Sequence, residues 1–221
     1  MSTQVTAVTP AVASLLRQAA EWRLISLLLE CPKEGWHAQV AELASEVEDE
    51  SLRAAVEATK LEASEGLYHS FFGPGGPVPA REVSCHDSLQ LGYLMSELTC
   101  YYDAFSYQPP ADLPADHVAV EAGFVGYLRL KEAYALARES VESVDVSREA
   151  SQRFLQEHLS VIAQPLAKAL EESGVRYLAL AAQALLQRVG PPRSLPIVPP
   201  QGAGWASEKE CLFDCGEAAA L

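Results

Sequence analysis

The sequence predicts an all-α protein, most simply a single-domain helical bundle of about eight helices with an extended C-terminal tail. Apolar residues recur at intervals of three and four along most of the chain, which is typical of helices that bury one face. No segment shows the regular apolar and polar alternation of a half-buried strand. Hydrophobic residues make up 49% of the 221 residues, which is enough for a globular core. We expect the helical domain to span residues 1–190 and the Pro/Gly-rich tail to span 191–221.

The first third of the chain is predicted to contain four helices. Helical spacing over 11–30 predicts the first, and shorter patterns predict helices over 36–43 and 51–59. In the segment LEASEGLYHSFF the same spacing brings Tyr68 and Phe72 onto one side, and Gly73 ends the run. The segment that follows, GPGGPVPAREVSCHD at 73–87, has three glycines and three prolines. It is therefore predicted to be a long loop between helices.

The rest of the domain is predicted to contain four more helices. Helical spacing resumes over 88–105 and breaks at SYQPPADLP. Pro114 is predicted to open a helix that runs to about residue 144, since a proline is tolerated in the first turn. Ser147 is predicted to cap the next helix, which ends near 173–174 and is expected to kink at Pro165. The last predicted helix spans 175–189, and Gly190 ends it.

Charge and cysteine content narrow the function classes. The chain has 16 Lys and Arg against 30 Asp and Glu, a net charge of −14, which disfavours nucleic acid and favours cationic partners. No basic residue precedes Arg17, and the longest strongly apolar run, at 24–29, stops at Glu30, so neither a secretion signal nor a membrane span is predicted. Five scattered cysteines do not resemble a secreted disulfide framework. These features predict a cytoplasmic protein with reduced thiols.

The segment LPADHVAVEAGF places Asp116 and His117 side by side at a predicted helix start. One interpretation is structural: the helix dipole stabilises an acid in the first turn by ~0.3–1 kcal/mol, and the histidine forms an internal hydrogen bond. The other is functional: the pair offers an acceptor and a tunable donor to a cationic ligand, with Glu121 orienting the imidazole. A metal at His117 and Glu121 would need a further ligand. Without other information, the residues favour the structural interpretation.

Three other features have simpler explanations than a site. The glycines of GPGGP could surround a phosphate, but Pro74 and Pro77 lack N–H groups, so a turn is preferred. Cys211 and Cys215 could share a metal ion only with two more ligands, and a metal-binding or redox-sensing protein is the alternative function they suggest. Most aromatic side chains are expected in the core, with a few lining an apolar groove for a peptide. No catalytic motif is recognised, so we expect neither an enzyme nor a cofactor.

Two segments together resemble a known family. LYHSFFGPGGPVPARE (67–82) lies about thirty residues before LPADHVAVEAGFVGYL (113–128), and this pair resembles the TorD/DmsD/NarJ-like family of molybdoenzyme maturation chaperones. The resemblance covers roughly residues 15–190. The residues that match its two motifs are Tyr68, Phe72, Gly73 and Pro74 in the first, and Pro114, Asp116, His117 and Glu121 in the second. The chain departs from the family pattern at Cys85 and His86, at Ala122, and in the Cys-containing tail.

The resemblance implies an all-helical cytoplasmic chaperone without catalytic activity. Such proteins bind the N-terminal twin-arginine signal or leader of the catalytic subunit of a molybdopterin oxidoreductase, and they delay export until the cofactor is loaded. The eight matching residues would form the peptide-binding region. The resemblance is also compatible with a homodimer. The net charge of −14 suits such a partner, because arginine side chains pair well with carboxylates.

Overall fold

The computed structural model describes residues 9–86 and 91–190, and within them the fold is all-α, as predicted. Nine α-helices are present in these residues, with a 3₁₀ turn at Glu82–Cys85. A π-helical turn, Leu155–Leu159, joins α7 and α8 into one continuous helix, which leaves eight separate helical bodies. The α-helices are α1 (Pro10–Leu28), α2 (Trp36–Ala44), α3 (Glu50–Glu62), α4 (Glu65–Phe72), α5 (Leu91–Phe105), α6 (Val118–Ala137), α7 (Val141–Phe154), α8 (Ser160–Glu172) and α9 (Arg176–Val189).

Several helices begin where a local side chain satisfies a free backbone N–H. Thr9 caps α1 by accepting from the Val12 amide at 3.3 Å. Asp49 does the same for α3, and Ser64 for α4. Such caps account for sharp helix starts in a chain whose periodicity alone gives only approximate boundaries. None of the described helices is both long and apolar enough to cross a bilayer.

The centre of the bundle is the contact between α1 and α6. From Val118 to Gly126 every residue of α6 is buried, as expected of a helix surrounded by others. Two glycines let α1 approach closely: a Cβ added at Gly126 would lie 3.1 Å from the Trp22 Cβ, and one at Gly123 would lie 3.0 Å from the Ser26 Oγ. Helix α7 packs against α6, whereas α9 packs against α3 and α8.

The predicted helix from Pro114 to about residue 144 is wrong at both ends. Pro114 lies in the preceding turn, and α6 begins only at Val118. At the other end α6 stops at Ala137, and Glu139 takes a left-handed conformation with φ of 58°. A glycine usually occupies such a position at a helix end. Since this turn contains neither glycine nor proline, the sequence carried no signal for it.

Two further boundaries differ from those predicted. Ser147 is not a helix cap; it is buried inside α7, which begins at Val141. Pro165 lies inside α8 as expected, and the departure from regular helix seen in this part of the chain is the π turn before it. The predicted tail at 191–221, with Cys211 and Cys215, lies outside the described residues, as do residues 87–90.

Candidate functional site

The two segments of the sequence motif meet in space. Residues 80–82 run antiparallel to residues 116–118, and Arg81 and His117 form a β-bridge. The Val118 amide donates to the Ala80 carbonyl at 2.9 Å, and the Glu82 amide donates to the Asp116 carbonyl at 2.9 Å. These bonds fix the loop after α4 to the start of α6. We refer to residues 73–79 as the Gly–Pro loop.

Glycine is required where the Gly–Pro loop reverses direction. A Cβ at Gly73 would collide with the His69 carbonyl, and one at Gly76 would collide with the Phe71 carbonyl. Gly75 has a φ of 80°, a conformation that other residues seldom adopt. The segment GPGGP therefore forms a tight turn that returns the chain toward α6, in agreement with the turn interpretation.

His117 is the residue that caps α6. Its Nδ1 accepts from the Ala119 amide at 3.1 Å, and its Nε2 lies 3.1 Å from the Tyr68 hydroxyl. Because Nδ1 accepts, a neutral His117 carries its proton on Nε2 and donates it to Tyr68. Burial lowers the pKa of His117 to about 4, and the positive charge of Arg81 opposes protonation further, although Asp116 favours it. The imidazole is therefore neutral at physiological pH.

Asp116 is completely buried and paired with Arg81. The Arg81 Nε and Nη2 atoms each lie 2.8 Å from Asp116 Oδ1. The Val83 amide approaches Oδ2 at 3.4 Å. The carboxylate therefore holds the end of the loop segment, while the Arg81 side chain, 37% exposed, reaches the surface.

Glu82, which the sequence analysis did not single out, lies at the centre of this region. Its carboxylate is buried between two histidines, with Oε1 2.9 Å from His86 Nε2 and Oε2 3.0 Å from His158 Nδ1. His158 lies in the π turn between α7 and α8, and π turns often occur at functional sites. Glu82 was within the motif segment 67–82, but nothing in the sequence indicated His158, which lies 76 positions later.

Glu121 completes a buried group of acids and histidines. Both carboxyl oxygens are buried without a hydrogen-bond partner of good geometry. Burial raises the pKa of Glu121 well above its usual value, and the negative charges of Glu82 and Asp116 add to this effect. Glu121 is therefore protonated under conditions where an exposed glutamate is ionised. We call Glu82, Asp116, His117, Glu121 and His158 the buried corner.

An open groove lies above the buried corner. Two adjoining cavities are present, one of about 470 Å³ between α5 and α7 and one of about 580 Å³ between α7 and the C-terminal half of α6. Both are lined by Ala104, Phe105 and Val146. We call them the α5–α7 groove. Tyr101 lines the first cavity, and its ring contacts the His158 ring edge-on with centroids 5.5 Å apart. The groove and the buried corner are thus connected through one aromatic contact.

Comparison with known proteins identifies the family. The family model described as nitrate reductase delta subunit matches residues 31–168, which is more than half of the chain. The chain belongs to this family. Searches of curated proteins and of solved structures each found no significant match. The family match confirms the resemblance to TorD/DmsD/NarJ-like maturation chaperones.

Membership in the nitrate reductase delta family gives the general function. Its members are maturation chaperones rather than catalysts, and they act with the catalytic subunits of molybdoenzymes. The matched region contains the Gly–Pro loop, the buried corner and both helices of the α5–α7 groove, whereas α9 lies beyond it. Family membership does not decide whether the eight motif residues bind a peptide. Four of them are partly or fully exposed, and the other four, Tyr68, Asp116, His117 and Glu121, are buried.

Potential metal ligands in this family member lie elsewhere than at His117 and Glu121. In the described residues, two groups have ligand atoms within 4.8 Å of one another: Cys31, Glu65 and His69 in one, and Glu97, Glu157 and His158 in the other. His86, one of the departures from the family pattern, belongs to neither group and is bonded to Glu82.

Proposed function

We propose that this protein is a cytoplasmic, system-specific chaperone that binds the N-terminal twin-arginine signal or leader of a molybdopterin oxidoreductase catalytic subunit. It holds the leader while the client folds, takes up its cofactor and assembles before export. The observation that supports this proposal best is the α5–α7 groove. It combines an apolar floor with unpaired carboxylates, and a leader combines an apolar stretch with arginines.

The groove has the chemistry to bind a peptide. Its floor is formed by Ala104 and Phe105 from α5 and by Val146 and Ala150 from α7. Val146 is 52% exposed although it is a large apolar residue. An apolar helix or extended segment would cover these side chains, which is the usual way in which peptide grooves bind.

Charge in the first cavity of the groove favours arginine, whereas the second cavity is lined by Lys131 and Arg138. Glu97 and Glu149 line the first cavity. Within the described residues neither lies within ion-pair distance of a basic nitrogen, although the charge of Glu149 acts on Arg153. Arg153, which also lines it, is paired with Glu157. A guanidinium can bind a carboxylate through two parallel hydrogen bonds, so the two free glutamates would accept the paired arginines of the leader. The net charge of −14 would accelerate the encounter.

The motif residues would contribute to leader binding in two ways. Pro74 is exposed, and Phe72 and Gly73 are partly exposed, so the Gly–Pro loop is available to the client. Asp116 and His117 are buried, and we assign them the role of holding that loop and the start of α6. Glu121 lies under the same region and supports it from inside.

A matched pair of substitutions tests the groove. Val146→Lys places a charge on the groove floor, whereas Val141→Lys makes the same change at another exposed valine of α7 that does not line the groove. With a synthetic twin-arginine leader peptide, we expect Val146→Lys to weaken binding by at least about tenfold. Val141→Lys should bind as the unsubstituted protein does. Equal affinities for the two variants would exclude the groove as the binding site.

A second comparison tests the carboxylates. The double variant Glu97→Gln, Glu149→Gln removes the two carboxylate charges of the first cavity, and Glu171→Gln, Glu172→Gln removes two exposed charges of α8. Only the first should weaken peptide binding and reduce its dependence on salt. Asp116→Asn and His117→Ala, measured alongside, should weaken binding through the loop. If both variants fold and bind the leader normally, the buried corner has no part in recognition.

A further inference from the structure

Three side chains, one from the segment after α1 and two from α4, converge near the end of α1. Cys31 lies three residues after α1, and Glu65 and His69 lie one helical turn apart on α4. The Cys31 Sγ is 3.9 Å from His69 Nε2, and that nitrogen is 3.7 Å from Glu65 Oε1. All three ligand atoms lie within 4.8 Å of one another.

We propose that Cys31, Glu65 and His69 form a binding site for a zinc ion, with water at the fourth position. Zinc is commonly bound by a thiolate, an imidazole and a carboxylate in tetrahedral geometry. Three protein ligands with one open position complete such a site.

The distances fit this ion closely. With Zn–S near 2.3 Å and Zn–N and Zn–O near 2.0–2.1 Å, tetrahedral angles place sulfur about 3.6 Å from nitrogen, and nitrogen about 3.4 Å from oxygen. The observed separations are 3.9 and 3.7 Å. The His69 and Glu65 side chains are 58% and 65% exposed, so small rotamer adjustments would close the difference without moving the helices.

The ligand set selects zinc over harder cations. A thiolate and an imidazole are poor ligands for magnesium and calcium, which prefer oxygen. The other candidate group, Glu97, Glu157 and His158, contains no sulfur. Its Glu157 already accepts from the Tyr101 hydroxyl and pairs with Arg153. In the part of the chain that the structure describes, Glu65 and His69 pair with each other and with no charged group outside the site, and the adjacent Lys33 is bonded to Asp112.

A metal here would connect α1 to α4. Helix α4 carries Tyr68, which contacts His117 in the buried corner. The metal would therefore fix α4 to the segment after α1 and reduce opening of this part of the bundle. This inference does not depend on the leader-binding proposal, since a metal site can exist whether or not the groove binds a peptide.

Cobalt titration of the full-length chain tests the site directly. Cobalt substitutes for zinc in tetrahedral sites, and a cysteine ligand produces a thiolate-to-metal charge-transfer absorption. We expect saturable binding of one equivalent with this absorption, displaced by zinc. Cys31→Ser should abolish the absorption, and Glu65→Gln should weaken zinc binding by about tenfold or more. Glu65→Gln alters an exposed side chain, so its result does not depend on preserving a buried contact.

Control variants separate this site from the other thiols. Cys100→Ser removes an exposed cysteine of α5 and should leave binding unchanged, and so should the double variant Cys211→Ser, Cys215→Ser. As a second readout, saturating zinc should raise the Tm of the unsubstituted chain and not that of Cys31→Ser. The proposal is overturned if the absorption survives in Cys31→Ser, if it is lost with the tail cysteines, or if no stoichiometric binding occurs.

Discussion

The Tyr68 hydroxyl and His117 Nε2 lie 3.1 Å apart and join α4 to the first turn of α6. Each residue belongs to one of the two sequence motifs, which are 49 positions apart at this contact. The same imidazole caps α6 through its other nitrogen. One neutral histidine therefore caps α6 and holds its start against α4.

His117 should make stability depend on pH. Its pKa is about 4 in the folded protein against 6.5 for the free side chain, so between these values the unfolded chain binds the proton more readily. The free energy of unfolding should therefore decrease as pH falls from about 6.5 to about 4, by roughly 3 kcal/mol. His117→Asn keeps a capping acceptor and should flatten this dependence in urea unfolding. His37→Asn, at an exposed histidine, should retain it; an unchanged slope in His117→Asn would contradict the assignment.

Glu121 should make the free energy of unfolding depend on pH in the opposite direction. Its folded pKa is raised, so the folded protein keeps a proton that the unfolded chain loses above about pH 4.5. Stability from this group is present in acid and decreases as pH rises toward the folded pKa. Glu121→Gln resembles the protonated acid, and it should gain stability relative to the unsubstituted protein between about pH 5 and about pH 8. A variant that loses stability equally at both pH values would show that Glu121 is ionised in the fold.

Arg81 should matter because Asp116 is buried. Arg81→Ala leaves a fully buried carboxylate without its partner, and breaking such a pair costs about 3–5 kcal/mol. We expect a loss toward the lower end of that range, because the guanidinium is 37% exposed. The double variant Arg81→Ala, Asp116→Asn removes the unpaired charge and should be more stable than Arg81→Ala alone. For comparison, Lys60→Ala at an exposed ion pair should change stability by less than about 1 kcal/mol.

The close contact of α1 and α6 should depend on Gly126. A Cβ there would lie 3.2 Å from the Ala19 carbonyl oxygen and 3.3 Å from the Arg23 amide nitrogen, and backbone atoms move only if the helices separate. Gly126→Ala should therefore destabilise the protein by about 1–3 kcal/mol. Gly92→Ala in α5 meets nothing within 4 Å and should stabilise it by up to about 1 kcal/mol. Thermal unfolding of both variants checks the pair, and a stabilised Gly126→Ala would show that the contact is looser than described.

Much of the site was visible in the sequence, but in pieces. The two motifs indicated that Tyr68, Phe72 and the Gly–Pro loop belong with Asp116 and His117, and the structure shows the loop and the start of α6 in direct contact. What the motifs did not indicate was burial. The structural interpretation of His117 as an internally bonded side chain agrees with its contacts to the Ala119 amide and the Tyr68 hydroxyl. Asp116 does not lie in the first turn of α6 as that interpretation had it; it precedes the helix and pairs with Arg81.

By itself, the sequence determined that this chain forms helices, where most of them lie, and which family it resembles, because apolar spacing and turn residues act over a few positions. Tertiary structure alone decided the helix break at Glu139, the joining of Glu82 to His158 through a π turn, and the convergence of Cys31 with His69. The two contacts join residues far apart in the chain, and the helix break depends on a strained backbone conformation that packing compensates. No local pattern encodes them, since packing of the whole bundle sets which side chains meet.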